Sequence, residues 1–207
     1  MSPDARLART LCARLCHDLG GTVATLAGML DLLEGEGEML ALSRETAATL
    51  RGRLRLYAAA WGSPGEGLDA AALGTLLEGS PARPRVRFAL DDLAPGGAGL
   101  PGAVVPLALN AAMLGAEALP RGGVLRLGGS AEEGLVVWPE GRDAAWPAPL
   151  AELLAGSSPA EALEAGPRRV LAPLLLTLAA EAGWEVALGL GAGGAGAAPL
   201  MLTPRRG

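Results

Sequence analysis

The spacing of leucine and valine near the N-terminus is the feature that most constrains this fold. Between residues 4 and 35, apolar side chains recur at every third or fourth position: Leu7, Leu11, Leu15, Leu19, Val23, Leu26, Leu30 and Leu33. This spacing predicts one long amphipathic helix. A second helix is predicted after the turn at residues 35–37, capped by Ser43 and ended by Gly62, with an apolar stripe of its own: Ala47, Leu50, Leu54, Tyr57 and Trp61.

Two antiparallel helices with one narrow apolar stripe each cannot enclose a core. The hairpin of residues 1–62 must therefore pack against another hairpin or against a second domain. We predict a homodimeric four-helix bundle as the simplest solution. The side chains assigned to bundle packing are Leu7, Leu15, Leu19, Leu26, Leu54 and Trp61.

The pattern changes after residues 63–67, whose sequence Ser-Pro-Gly-Glu-Gly is typical of a linker. Residues 68–207 then read as a second domain with the order α-β-α-β-β-α-β-β. Helices are predicted at 68–78, 104–119 and 168–182, and strands at 85–90, 123–128, 135–138, 184–190 and 199–203. This order predicts a two-layer α/β domain with helices on one face of a mixed sheet, and an α+β chain overall.

Charge and hydropathy exclude several classes of protein. The chain has 207 residues, with 17 basic residues that are all arginine, 22 acidic residues and a net charge of -5. A nucleic-acid surface needs clustered positive charge, so no nucleic-acid partner is expected. Apolar stretches are interrupted before the roughly 18 residues of a membrane span, and the N-terminus lacks the pattern of a signal peptide. We expect a cytoplasmic protein without a membrane partner.

Cys12, Cys16 and His17 lie within two turns of the first helix. They could be read as a metal cluster or an unusual haem-attachment site, but a zinc site needs four ligands and His17 is the only histidine. A disulfide does not form easily across consecutive turns of an intact helix. We interpret the two cysteines as buried small apolar thiols and predict no metal site.

His17 falls opposite the leucine stripe on a wheel of about 100° per residue. A lone exposed histidine is usually only solvated, but the residues around this one are small: Ala13, Gly20, Gly21 and Ala24. Two glycines inside a helix cost about 1 kcal/mol each relative to alanine, which a local kink or compositional bias could also explain. We predict a docking face here. A neutral imidazole can carry a phosphoryl group on one nitrogen while the other holds a hydrogen bond.

Arg14 and Asp18 are candidate accessory residues. Arg14 lies one turn before His17 and could screen an added negative charge. Asp18 could polarise the imidazole, although on the wheel it points about 100° away from it. A simple surface carboxylate is an equally good interpretation of Asp18.

Four segments resemble the ChpT-type bacterial histidine phosphotransferases. Residues 11–23, Leu-Cys-Ala-Arg-Leu-Cys-His-Asp-Leu-Gly-Gly-Thr-Val, resemble the phosphoacceptor helix of that family. Residues 53–62 are similar to its Arg-Leu-x-Phe-Tyr-x-x-Ala-Phe-Gly pattern, residues 109–123 match its most distinctive stretch, and the helix at 170–179 is also similar. The resemblance implies a dimeric bundle that bears a degenerate histidine-kinase-like ATPase domain on each protomer, with His17 as the phosphoacceptor. The family often has a polar residue and a proline shortly after the histidine, where this chain has Gly20, Gly21 and Thr22.

The resembled kinase domain binds ATP, so the corresponding residues can be compared. Alignment with the asparagine-rich kinase motif places Asn110 at its first asparagine and Leu114 at its second, which normally holds Mg²⁺. Leucine offers no oxygen ligand to a hard cation. An Asp-x-Gly-x-Gly adenine loop is missing near residues 139–143, and the chain has no lysine. We therefore expect no ATP binding and no cofactor, with Mg²⁺ carried by the partner.

The expected function is that of a histidine phosphotransferase in a bacterial phosphorelay. His17 would carry a phosphoryl group between the aspartates of receiver domains, in hybrid kinases and in response regulators. Two alternatives stay open. The chain could be a non-catalytic dimeric adaptor that binds receivers, or a divergent histidine kinase.

Overall fold

The structure is a computed structural model that describes residues 3–31, 37–95, 97–164, 166–190 and 197–205. In these residues it has seven helices and five strands. The helices are α1 (Pro3–Asp31), α2 (Glu38–Trp61), α3 (Ala70–Leu77), α4 (Val105–Glu117), α5 (Ala148–Leu154), α6 (Pro159–Glu164) and α7 (Leu171–Glu181). The strands are β1 (Val86–Ala89), β2 (Gly123–Ser130), β3 (Gly134–Glu140), β4 (Trp184–Leu188) and β5 (Leu200–Pro204).

The two long helices at the N-terminus form the predicted hairpin, but the predicted start of the second is wrong. Helix α2 begins at Glu38, where an acidic side chain suits the positive end of the helix dipole. Ser43 therefore lies inside the helix rather than at its N-cap. It is buried, and its hydroxyl has no hydrogen-bond partner among the described residues. The predicted end at Gly62 is confirmed, while Leu33 lies outside the described residues.

The second part of the chain is built on a mixed five-stranded sheet in the order β1-β2-β3-β5-β4. Only β1 and β2 pair in parallel; the other neighbours are antiparallel. The predicted sequence of three helices and five strands is confirmed within a few residues at each end. Two short helices, α5 and α6, were absent from the prediction.

One face of the sheet carries the helices. On β2 and β3, Leu125, Leu127 and Val137 are buried, while Arg126 and Trp138 on the opposite face are exposed. This alternation is what a half-covered sheet requires, because successive side chains of a strand point to opposite faces. The α+β class and the two-layer arrangement are therefore as predicted.

The core of the second part continues into the hairpin. Leu56 and Tyr57 of α2 belong to the same buried cluster as the side chains of α4 and the sheet, and Leu15, Leu19 and Trp61 pack against that cluster. These three residues were assigned to bundle packing, and the structure instead places them against the core of their own chain. The division at residues 63–67 stays a prediction, but apolar packing crosses it.

Asn110 joins the two parts with hydrogen bonds. Its side chain is fully buried, and its amide nitrogen donates to the carbonyls of Ala60 (3.0 Å) and Pro106 (2.8 Å). Its amide oxygen accepts from the indole nitrogen of Trp61 at 2.9 Å. The Trp61 ring in turn stacks on Tyr57 with centroids 4.3 Å apart. The end of α2 is thus fastened to α4.

Among the described residues, no helix combines the length and apolar character that a bilayer crossing requires.

Candidate functional site

His17 stands on the outer face of α1 with half of its side chain exposed (51%). Its two ring nitrogens have different partners. Nδ1 lies 3.0 Å from Oδ1 of Asp18, and Nε2 lies 3.2 Å from Nη2 of Arg168. Arg168 belongs to the short 3-10 turn Pro167–Arg169, which precedes α7. The second part of the chain therefore contributes a cation to the histidine.

Asp18 is not the surface carboxylate that the sequence allowed. Its side chain is only 8% exposed, and its second oxygen, Oδ2, accepts from Nε of Arg14 (2.6 Å) and from the hydroxyl of Tyr57 (2.7 Å). Burial opposes ionisation of this group, but hydrogen bonds from Arg14, His17 and Tyr57 outweigh burial and hold the pKa of Asp18 below its usual value. Asp18 is thus an ionised acceptor for the imidazole.

Helix α2 supports this carboxylate from the other side. Burial, together with the hydrogen bond to Asp18, raises the pKa of Tyr57 far above its usual value, so Tyr57 stays a proton donor. Nη1 of Arg53 donates to the backbone carbonyl of Asp18 (2.8 Å) and to the hydroxyl of Thr22 (2.7 Å). The hairpin therefore fixes both the main chain and the side chain of Asp18.

Arg14 connects the hairpin to the second part of the chain. Besides Asp18, its guanidinium contacts the carboxylate of Glu117 on α4 (2.9 Å) and the backbone carbonyl of Arg168 (3.2 Å). Burial raises the pKa of Glu117, although Arg14 opposes that effect. The predicted role for Arg14 was to screen a phosphoryl group, but the structure places its charge between two carboxylates. The cation at the ring is Arg168, which sequence reasoning missed.

The partners of the imidazole select one tautomer. An ionised carboxylate only accepts hydrogen bonds and a guanidinium only donates them. Asp18 therefore favours a proton on Nδ1, and Arg168 favours a lone pair on Nε2. A neutral ring in this form carries its nucleophilic lone pair on Nε2, the nitrogen that faces Arg168.

The predicted docking face surrounds His17 in open space. Ala13, Gly20, Gly21 and Ala24 are all exposed, and a Cβ atom built at either glycine would meet no atom of the surrounding structure within 4 Å. A groove of about 590 Å³ runs between α1 and α2 beside His17, with Gly21, Thr22, Thr25, Thr46 and Arg53 among its lining residues. A second groove of about 340 Å³ lies between Ala13 and Pro167.

Comparison with known proteins decides the family. The family model for the histidine phosphotransferase C-terminal domain matches residues 70–192. The chain belongs to the histidine phosphotransferase family. It is 32% identical over 193 residues to protein phosphotransferase ChpT of Brucella abortus (strain 2308), covering 88% of this chain and 89% of the relative. A solved structure of a bacterial phosphotransferase superposes with a TM-score of 0.74 at 28% identity, covering 95% of both chains.

One sequence interpretation, the burial of the two cysteines, is corrected in this histidine phosphotransferase. Cys12 and Cys16 are both exposed, so their interpretation as buried thiols is wrong for the single chain. The described ranges contain no group of three or more side chains of the kinds that hold metals. Asn110, aligned with the first asparagine of the kinase motif, has its side-chain amide hydrogen-bonded to Trp61 and to two backbone carbonyls. Leu114 is buried in the core at 1% exposure.

Proposed function

We propose that this chain takes a phosphoryl group from the aspartyl phosphate of one receiver domain onto Nε2 of His17 and passes it to the aspartate of another. The observation that carries the proposal is the orientation of the imidazole. Asp18 holds Nδ1, and Nε2 lies on the other side of a half-exposed ring, 3.2 Å from the guanidinium of Arg168. Membership of the histidine phosphotransferase family supports the same reaction.

The transfer needs little chemistry from the protein itself. The Nε2 lone pair attacks phosphorus, and the bond from phosphorus to the carboxyl oxygen of the receiver breaks, which releases a carboxylate. Positive charge develops on the ring, and Asp18 offsets that charge through its hydrogen bond to the Nδ1 proton. Onward transfer to a second receiver reverses these steps. The protein supplies a positioned nucleophile, and the receivers supply the acceptor aspartate and the Mg²⁺.

Docking of the receivers is proposed for the face around His17. Gly20, Gly21 and Ala24 leave the backbone of α1 open to close approach, and the groove beside them has hydroxyl groups along its walls. The partners would be receivers of hybrid kinases and of response regulators. The proposed location of this protein is the cytoplasm.

The second part of the chain is proposed to bind no ATP. The Asn110 amide is committed to Trp61, Ala60 and Pro106, and Leu114 has no oxygen to offer a metal. Calorimetry with Mg-ATP should therefore show no heat of binding at physiological nucleotide concentrations. Saturable binding with a Kd below about 1 mM, equivalent to about 4 kcal/mol, would restore the kinase interpretation.

A homodimeric four-helix bundle is proposed on the exposed apolar face of the hairpin. Val23, Leu30 and Leu54 are each about half exposed, at 49%, 53% and 49%. On a wheel of about 100° per residue, Val23 and Leu30 share one side of α1 with Cys12 and Cys16, away from His17. A second copy packed there would cover both the leucines and the thiols while leaving the histidine accessible.

The decisive experiment is a phosphotransfer assay with a panel of phosphorylated receivers from the same organism. Wild-type protein should acquire acid-labile, base-stable phosphate, and His17→Ala should acquire none. His17→Gln is the matched control, because its amide can still donate to Asp18 but cannot form a phosphoimidazole. If receivers bind the wild type while phosphate never reaches His17, the adaptor interpretation is correct instead.

A further inference from the structure

We propose that Arg168 holds the phosphoryl group on His17, so that the second part of the chain stabilises the phosphohistidine. This inference rests on the proposed function of His17. It assigns a role to a residue that lies 151 positions from the histidine and that contacts its reacting nitrogen directly.

The backbone around Arg168 is fixed from two sides. Its carbonyl accepts a hydrogen bond from Arg14, the same guanidinium that binds Asp18. The turn that carries it starts after Gly166, whose φ of 96° favours glycine. One side chain, Arg14, therefore locates both partners of the imidazole: Asp18 at Nδ1 and Arg168 at Nε2. The Arg168 side chain itself is exposed and can move without disturbing packed atoms.

The hydrogen-bond partner of Arg168 changes as the phosphoryl group is transferred. Before transfer, its guanidinium donates to the Nε2 lone pair at 3.2 Å. When the bond from Nε2 to phosphorus forms, that lone pair is used, and the guanidinium must turn to the new phosphoryl oxygens. A guanidinium binds phosphoryl oxygens with charge-assisted, often paired hydrogen bonds. Arg168 keeps all its protons throughout, so the atom and electron balance of the transfer is unchanged.

An arginine beside the histidine could instead serve only to dock the receiver. The two roles have different consequences at equilibrium. Docking changes the rates of transfer in both directions but cannot change how phosphate finally divides between free receiver and free His17. A group that binds the phosphoryl oxygens shifts that division toward His17. The equilibrium partition is therefore the measurement that separates them.

The test uses the full chain with one receiver, Mg²⁺ and a fixed amount of phosphate, followed to equilibrium by phosphate-affinity gels. Arg168→Ala should shift the partition toward the receiver by about tenfold, the size expected for losing a hydrogen bond to a charged group. The partition for Arg168→Lys should lie between those of Arg168→Ala and the wild type. Lysine keeps the positive charge but lacks the paired N–H donors of the guanidinium. Arg169→Ala is the matched control: it removes an adjacent exposed arginine and should leave the partition at the wild-type value.

A second measurement needs no phosphate. Because His17 is the only histidine, the imidazole nitrogens give one unambiguous pair of ¹⁵N resonances. With the ring neutral, wild type should show the proton on Nδ1, and Arg168→Ala should move the Nε2 resonance while Arg169→Ala does not.

An Arg168→Ala partition equal to that of the wild type overturns the inference, even where the transfer rate falls. Failure of the proposed function would look different: the wild type itself would accept no phosphate from the panel. The inference would then fail as well, even if the ¹⁵N shifts showed the contact.

Discussion

Replacing Asn110 with alanine removes the hydrogen bonds that join the end of α2 to α4. The side chain is fully buried and makes three hydrogen bonds, to Trp61, Ala60 and Pro106. Each such bond contributes about 1 kcal/mol net, so the three together contribute about 3 kcal/mol. In this variant, the carbonyl of Ala60 is the group left most completely without a hydrogen-bond partner, because Ala60 is only 1% exposed.

We therefore expect Asn110→Ala to lower the free energy of unfolding by about 3 kcal/mol. For a chain of this size, 1 kcal/mol corresponds to about 2–4 °C, so Tm should fall by about 6–12 °C in calorimetry. Trp61→Phe is the matched control. It keeps an aromatic ring at this position, although a smaller one, and deletes one of the three bonds, so it should cost about 1 kcal/mol.

The double variant should lose less than the sum of the two single losses, because both substitutions delete the same bond between Trp61 and Asn110. Wild type should melt in a single transition, since the core is continuous from α2 to the sheet. A Tm for Asn110→Ala within about 2 °C of the wild type, less than 1 kcal/mol on this scale, would refute the reasoning.

Three further predictions follow from the site and the hairpin. The pKa of Asp18 is lower in the folded chain than its ordinary value of 3.8, so its stabilising effect is present above that pH and lost below it. In urea denaturation, wild type should lose stability more steeply than Asp18→Asn as the pH falls through that region; parallel profiles would contradict this. Light scattering at micromolar concentration should give about twice 20.7 kDa for the wild type and a monomeric or unfolded chain for Leu54→Asp, and a monomeric wild type would remove the bundle. Ala24→Arg should slow phosphotransfer by obstructing the docking face with His17 intact, and an unchanged rate would exclude that face.

Periodic apolar patterns predicted the long helices and the order of helices and strands along the chain, because burial on one face imposes a fixed spacing. The start of α2 was missed because Ser43 is a good cap residue by type, and only the structure shows it inside a helix. Helices α5 and α6 were missed because they are short, at 7 and 6 residues, and too short for a periodic pattern. Their prolines near the first turn were the available signal.

For the candidate site, the sequence indicated only residues that lie on α1. His17 and its small neighbours could be found on one helical wheel. A helical wheel gives only the direction in which Asp18 leaves the helix. In the structure, one carboxylate oxygen of Asp18 contacts the imidazole, and the other contacts Arg14 and Tyr57. Arg168 could not be found in this way, because folding rather than sequence spacing brings it 3.2 Å from the ring.

The open space around Gly20 and Gly21 has a consequence for how this protein could change its partners. A Cβ atom added at either position would meet no atom of the surrounding structure within 4 Å, so packing does not require glycine there. Alanine at each position would strengthen the helix by about 1 kcal/mol. Small side chains at these two positions therefore do not threaten the fold. On the proposed docking face, preferences for receivers can therefore change one residue at a time, with selection acting mainly on the fit of the partner.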